Sequence, residues 1–199
     1  MANRNTAGFG FRQSGTLGNT PATQGLSQYW IDSAATVDLF NGMAMKSSGG
    51  YMITGESATT VTTIGVLYGI YYNAASTNKP TWAHWYDATI TPANSEDTQA
   101  FVNDYPFQKY TIASDAAVAA DVPAAHVKFM ETFSVNANTG GSTSTGRSST
   151  SLEIGQTHAT THSWRLLRSA EETENSDLTA AYCSLEVVSN LSEFVGSGT

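Results

Sequence analysis

Charge is scarce in this sequence. Only 13% of its 199 residues are Asp, Glu, Lys or Arg, about half the share usual for a globular chain. Its surface must therefore rely on uncharged polar groups, which argues against a helical bundle faced with Glu and Lys. Cysteine is nearly missing: Cys183 stands alone. A single thiol excludes an intrachain disulfide framework and suits folding in a reducing compartment. Long apolar runs are missing too. The longest, Ile64–Tyr72, falls well short of the roughly 20 residues a membrane-crossing helix needs. The opening MANRNTAGFG lacks the apolar stretch of a secretory signal, so no membrane partner is expected. Bases are few, nine against 17 acids for a formal charge of −8. Such a chain repels phosphate backbones, so no direct nucleic-acid partner is expected either.

What the chain has in quantity is Thr and Ser, 27 and 22 respectively. Threonine suits a pleated, half-exposed strand, and Ser and Gly suit turns. The apolar segments are short and β-like. Gln28–Ile31 and Tyr51–Thr54 open the series, and Val61–Tyr72 is the strongest, with Gly65 and Gly69 marking a bulge or a close backbone approach. Thr81–Tyr86, Ala88–Thr91, Gln99–Val102, Phe107–Ile112, Ser151–Ile154, His162–Leu167 and Ala181–Val188 follow. Ser114–Ala125 is alanine-rich and leaves room for a helical turn limited by Pro123. The expected fold class is all-β: a small sandwich or barrel with an extended N-terminal arm and long surface loops. The body spans 28–199, and its low-complexity stretch 139–151 is expected to be mobile or draped on the surface.

Residues 1–27 read as the arm. Gly8, Gly10, Gly15, Gly18 and Gly25, with Asn19 and Pro21, break any regular period. Yet Phe9, Phe11 and Leu17 are apolar, which a purely solvated linker avoids. Residues 1–31 contain Arg4 and Arg12 and no acid, a charge of +2, which leaves −10 on the remainder. A basic, glycine-rich arm on an acidic body suits an acidic neighbouring surface; a loosely ordered terminus with two incidental arginines is the plainer alternative. The candidate partner-contact residues are Arg4, Phe9, Phe11, Arg12 and Leu17, with Tyr29 and Trp30 just beyond the arm.

Nothing in the sequence demands chemistry. His158 and His162 have a metal-like spacing, but no glutamate or cysteine partner accompanies them, and surface or intersubunit histidines are expected. The run Glu171, Glu172, Glu174 and Asp177 lies between two expected strands and reads as a solvated hairpin loop. No nucleophile elbow or phosphate loop is present. No catalytic residue, metal or cofactor is therefore expected, and an enzyme is not the reading. Trp82, Trp85 and Tyr86, with Tyr68, Tyr71 and Tyr72, could form either a sugar-stacking platform or core and interface. A glycan-binding fibre or spike protein is therefore the alternative function.

Four segments carry a family resemblance. The opening Asn3-Arg4-Asn5-Thr6, followed by Gly8-Phe9-Gly10-Phe11-Arg12 and Gly15-Thr16-Leu17-Gly18, is the first. Ile64–Gly69 with Lys79-Pro80 and Trp82–Tyr86 is the second, and Gly141–Ser148 leading into Ser151–Ile154 is the third. Trp164–Leu167, then Glu174-Asn175 and Leu185–Asn190, closes the set. In this order the chain resembles the head structural proteins of tailed bacteriophages, the capsid decoration or cement proteins. It departs from their pattern at Gln13, where proline is common. The resemblance implies a virion protein on the outer capsid surface, assembled in the host bacterial cytoplasm. Its implied partners are the major capsid protein and further copies of itself, with a trimer as the expected oligomer.

Overall fold

The computed structural model describes residues 3–18, 25–55, 62–136 and 140–195. Its strands are β1 (Arg12–Thr16), β2 (Ser27–Ile31), β3 (Ala44–Ser48), β4 (Tyr51–Thr54), β5 (Gly65–Ala74), β6 (Lys79–Ala83), β7 (Thr98–Asn103), β8 (Gln108–Ala113), β9 (Thr132–Phe133), β10 (Val135–Asn136), β11 (Gly141–Ser142), β12 (Arg147–Ser148), β13 (Ser151–Leu152), β14 (Trp164–Ser169) and β15 (Ser184–Ser189). The one α-helix among the described residues, α1, is Val122–Val127. Asp121 caps it by accepting from the Ala124 backbone N–H at 2.8 Å, with proline in its first turn. The chain is all-β, as its composition implies, and no helix of the described residues is long and apolar enough to cross a membrane.

Two antiparallel sheets organise the fold. One runs β1-β8-β15-β14-β9; the other runs β2-β7-β5-β3-β4, with β6 also paired to β5. The second sheet curls until its two edge strands, β2 and β4, lie against each other, which makes it a partly closed barrel. Ile31, Met43, Met45, Leu67, Ile70, Ala100 and Val102 fill its interior.

The neighbouring side chains Ala44 and Val66 point the other way. They join Phe11, Tyr110, Ile112, Trp164, Leu166, Leu185 and Val187 in a second core, against the first sheet. Where β3 and β5 begin, the wall they form is thus buried on both faces, which explains why Met43-Ala44-Met45 and Ile64–Leu67 are apolar without alternation. The chain crosses between sheets at the β7–β8 turn, where Tyr110 Oη donates to the Asn103 carbonyl at 3.2 Å.

The N-terminal segment departs from the extended arm expected of it. Residues 12–16 are an edge strand paired with β8. Upstream, the Asn3 side-chain amide reaches the carbonyls of Asp177 and Ala181 at 3.0 and 2.9 Å, and the Asn5 N–H donates to Asn175 Oδ1 at 2.8 Å. Gly10 N–H donates to Thr150 O and Phe11 N–H to Gly42 O. A Cβ on Gly8 would lie 2.1 Å from Ser149 O, so the backbone approaches closer there than any other residue permits. The glycines of this segment serve close packing on the chain's own body. Residues 19–24 of the expected arm lie outside the described residues.

The polar stretch 139–151 is likewise not a draped loop over its described part. Strands β11 and β12 make a small hairpin. Gly141 lies against the Phe40 ring and Gly146 beneath Trp85, whose ring stacks on Phe40 at 5.2 Å. Residue 139 is outside the described set, as is Val61, the expected start of β5. A register shift between Leu67 and Gly69 marks the bulge expected in β5. Ala88–Thr91 forms no strand, and Ser151–Ile154 shortens to β13.

Candidate functional site

The seven candidate contact residues do not converge. Phe11 is only 4% exposed, lies 4.1 Å from the Trp164 ring and meets Tyr110 edge-on at 5.7 Å. It is a core residue and cannot anchor the chain to a partner, which corrects its expected role. Tyr29 is half-buried and donates its hydroxyl to Asp104 Oδ2 at 2.7 Å; burial and that carboxylate push the phenol's pKa up. Arg4 is exposed and paired with Glu174, a surface contact of the kind that contributes little. Leu17 is 38% exposed and bonds through its N–H to Phe107 O at 2.9 Å, beside the exposed Phe107 and Tyr105 rings. Arg12 and Trp30 are exposed at the surface, and Phe9 is half-buried.

Arg12 marks one of two surface sites. Its guanidinium carbon sits 3.8 Å over the Phe9 ring, a cation–π contact. Burial and then the nearby charge of Arg147 lower its pKa, with Glu172 opposing them. Glu172 itself accepts from Ser184 Oγ at 2.6 Å. Arg12 and Arg147 face a cleft of two adjoining cavities, about 320 and 230 Å³, that share Asn41, Tyr68 and Arg147. His84 and Thr145 extend one and Gln13 the other, and no carboxylate lines either. Neither arginine makes an ion pair among the described residues. In a chain with 17 acids and nine bases, a cleft with two cations and no acid is set to receive a carboxylate or another anion.

The second site is an aromatic groove on the barrel sheet. Strand pairing aligns Trp30 on β2 with Gln99 on β7, Gln99 with Tyr71 on β5, and Tyr71 with Trp82 on β6. Directly paired residues of antiparallel strands share a face, so these four form one row across the outside of the sheet. Trp30 is 44% and Trp82 45% exposed. Trp82 covers Gly69 and approaches Phe101 at 5.0 Å and Tyr68 at 6.4 Å. At the Trp30 end the row borders a cavity of about 590 Å³, walled also by Tyr51 and Tyr72 and edged by Asn73, Glu96 and Asp97. Gly49 and Gly50 form its lip, at a hairpin tip where φ is +59° and +91°, the backbone that a two-residue primed turn requires. Asp97 is fixed by accepting from the Ser33 N–H and the Tyr51 hydroxyl, both at 3.0 Å.

The sugar-platform candidates therefore divide. Tyr68, Tyr71 and Trp82 face outward, whereas Tyr86 is 1% exposed in the barrel core and Trp85 stacks on Phe40. The two histidines differ in setting, His158 exposed and His162 buried. His162 is buried with Nδ1 3.0 Å from Thr132 O, which corrects the expectation of a surface or intersubunit histidine, and His158 lies 3.7 Å from Glu131. The acidic run lies in the β14–β15 connection, as expected, but part of it seats the N-terminal segment through Glu174 and Asp177. Among the described residues no cluster of three metal-ligating side chains occurs. Arg147 carries no local signal in the sequence, since it meets Arg12 across 135 residues of chain. Gln99 carried a weak signal as a polar residue alternating with Ala100 and Val102. Comparison with protein-family models, curated proteins and solved structures finds no match.

Proposed function

We propose that this chain is a structural protein of a tailed-phage head that binds the outer face of the capsid and bridges major capsid protein subunits. The observation that carries the reading is the convergence of three of the four segments responsible for the family resemblance: the first, third and fourth. Asn3, Arg4 and Asn5 bond to the region of Glu174, Asn175 and Asp177. Gly8 and Gly10 pack on Ser149 and Thr150, and the Phe11 ring packs at a tilt against Trp164. Segments up to about 170 residues apart thus meet along one seam (the separation of Asn5 and Asn175). Short, low-complexity matches arising independently have no reason to be neighbours in space. A shared fold gives them one.

The acid-free cleft supports the same reading in another way. It offers two arginines to an acidic surface, so attachment does not need a detachable arm. The test is cryo-electron microscopy of the source particle, with purified chain added back to stripped heads at rising salt. Density on the outer shell is expected, with occupancy reduced in the Arg12→Gln/Arg147→Gln variant and falling as salt rises. Density confined to the tail, or none on the particle, rejects the proposal.

A further inference from the structure

We propose that the groove at Trp30 binds a neutral oligosaccharide, so that the chain carries a glycan-binding site separate from whatever attaches it to a particle. The lining chemistry selects this class. Trp30 and Tyr71 place aromatic side chains on one registered row, on strands separated by β7 and so roughly 10 Å apart. Gln99 lies between them and Asn73 follows Tyr71 two positions on, placing amide donors and acceptors beside the rings. Asp97 is pre-positioned by Ser33 and Tyr51, and Glu96 stands next to it. Rings that stack on apolar C–H faces, flanked by amides and carboxylates that bond to hydroxyls, are complementary to a pyranose chain.

Other occupants fit less well. No Lys, Arg or His lines the cavity, so an anionic ligand would meet Glu96 and Asp97 uncompensated. A second copy of the chain is disfavoured by the same carboxylates, because the centres of protein interfaces are depleted of charge. The volume of about 590 Å³ falls within the range typical of small-ligand sites, and the concavity suits a chain of a few sugars better than a flat protein face.

The experiment uses the full chain. A glycan array comes first, followed by titration of cellohexaose, maltohexaose and chitohexaose monitored by tryptophan fluorescence. At least one neutral oligosaccharide should bind saturably, with little change between low and about 0.5 M salt. Trp30→Ala should weaken it by roughly tenfold or more, as loss of a central aromatic anchor does. Gln99→Ala should weaken it less, and Phe107→Ala, on an exposed ring outside the groove, should leave it unchanged. Trp30 is 44% exposed, so its variant should melt as the parent does, and Gln99→Ala gives a second reading free of the large side chain. The proposal is overturned if no neutral glycan binds, if only sulfated or sialylated glycans bind, or if Trp30→Ala binds normally. Self-association abolished by Trp30→Ala, without sugar binding, would assign the face to a second copy and also overturn it.

Discussion

Replacing Phe11 with alanine separates a detachable arm from an integral strand. In the structure its ring is 4% exposed, lies 4.1 Å from Trp164 and meets Tyr110 edge-on. Truncating a buried phenylalanine in a well-packed core costs about 3–5 kcal/mol, and the two ring contacts place this one toward the upper end. Set against a typical domain stability of about 5–15 kcal/mol, that is a large fraction. At roughly 2–4 °C per kcal/mol for a chain of this size, the melting temperature of Phe11→Ala should fall by about 6–20 °C. Differential scanning calorimetry gives the shift, and urea denaturation followed by tryptophan fluorescence gives the free energy. Leu17→Ala, at a 38% exposed position of the same segment, should cost under about 1 kcal/mol. Deletion of residues 1–16 should leave a chain that no longer unfolds cooperatively, because β8 loses its edge partner and the Trp164 core opens. A Phe11→Ala melt within 2 °C of the parent (about 1 kcal/mol or less), or a truncated chain that melts normally, would refute the integral-strand account.

Two further outcomes follow from titrating groups. Hydrogen bonds from Thr179 Oγ1 and N–H, at 2.7 and 2.9 Å, hold the Asp177 carboxyl pKa down to about 2. A depressed carboxylate contributes stability above its unfolded value near 3.9 and loses it as pH falls toward 2. Melting curves of the parent and Asp177→Asn should therefore differ at pH 5 and converge near pH 2; a constant gap across that window counts against the assignment. Burial raises the Cys183 thiol pKa to about 12, so an aromatic disulfide reagent at pH 8 should label it only after denaturation. Rapid labelling of native protein would contradict its place in the core.

The strands legible in the sequence are those whose side chains settle the question locally. Tyr51–Thr54 and Ser27–Ile31 alternate or carry β-branched and aromatic residues, and β5 and β7 do so more strongly. Arg12–Thr16 and Ala44–Ser48 do not. RQSGT and AMKSS have little intrinsic β preference and become strands because β8 and β4 pair with them. The N-terminal glycines were ambiguous for a related reason. A glycine-rich irregular stretch reads alike whether it is solvated or pressed onto Ser149 and Gly42, and only the distant partner decides. The candidate sites show the same limit. Trp30 stands out in the sequence only as a candidate contact residue; its alignment with Tyr71 and Trp82 depends on register, and the Arg12–Arg147 cleft depends on contacts spanning 135 residues.

The two surface sites are linked through one residue. Tyr68 lines the arginine cleft and also lies 6.4 Å from Trp82, the far end of the aromatic row. Trp30 is three strand spacings from Trp82, about 14 Å. An acidic partner seated between Arg12 and Arg147 would therefore cover Tyr68 and crowd Trp82, yet leave the cavity at Trp30 open. Attachment and sugar binding are then compatible on one molecule, and their responses differ physically. Contact at the cleft is a charge interaction and weakens as salt shortens its reach; stacking in the groove is not. A particle that sheds the chain at high salt should release it with its oligosaccharide affinity intact. Loss of both functions at the same salt concentration would instead mean that one surface serves them both.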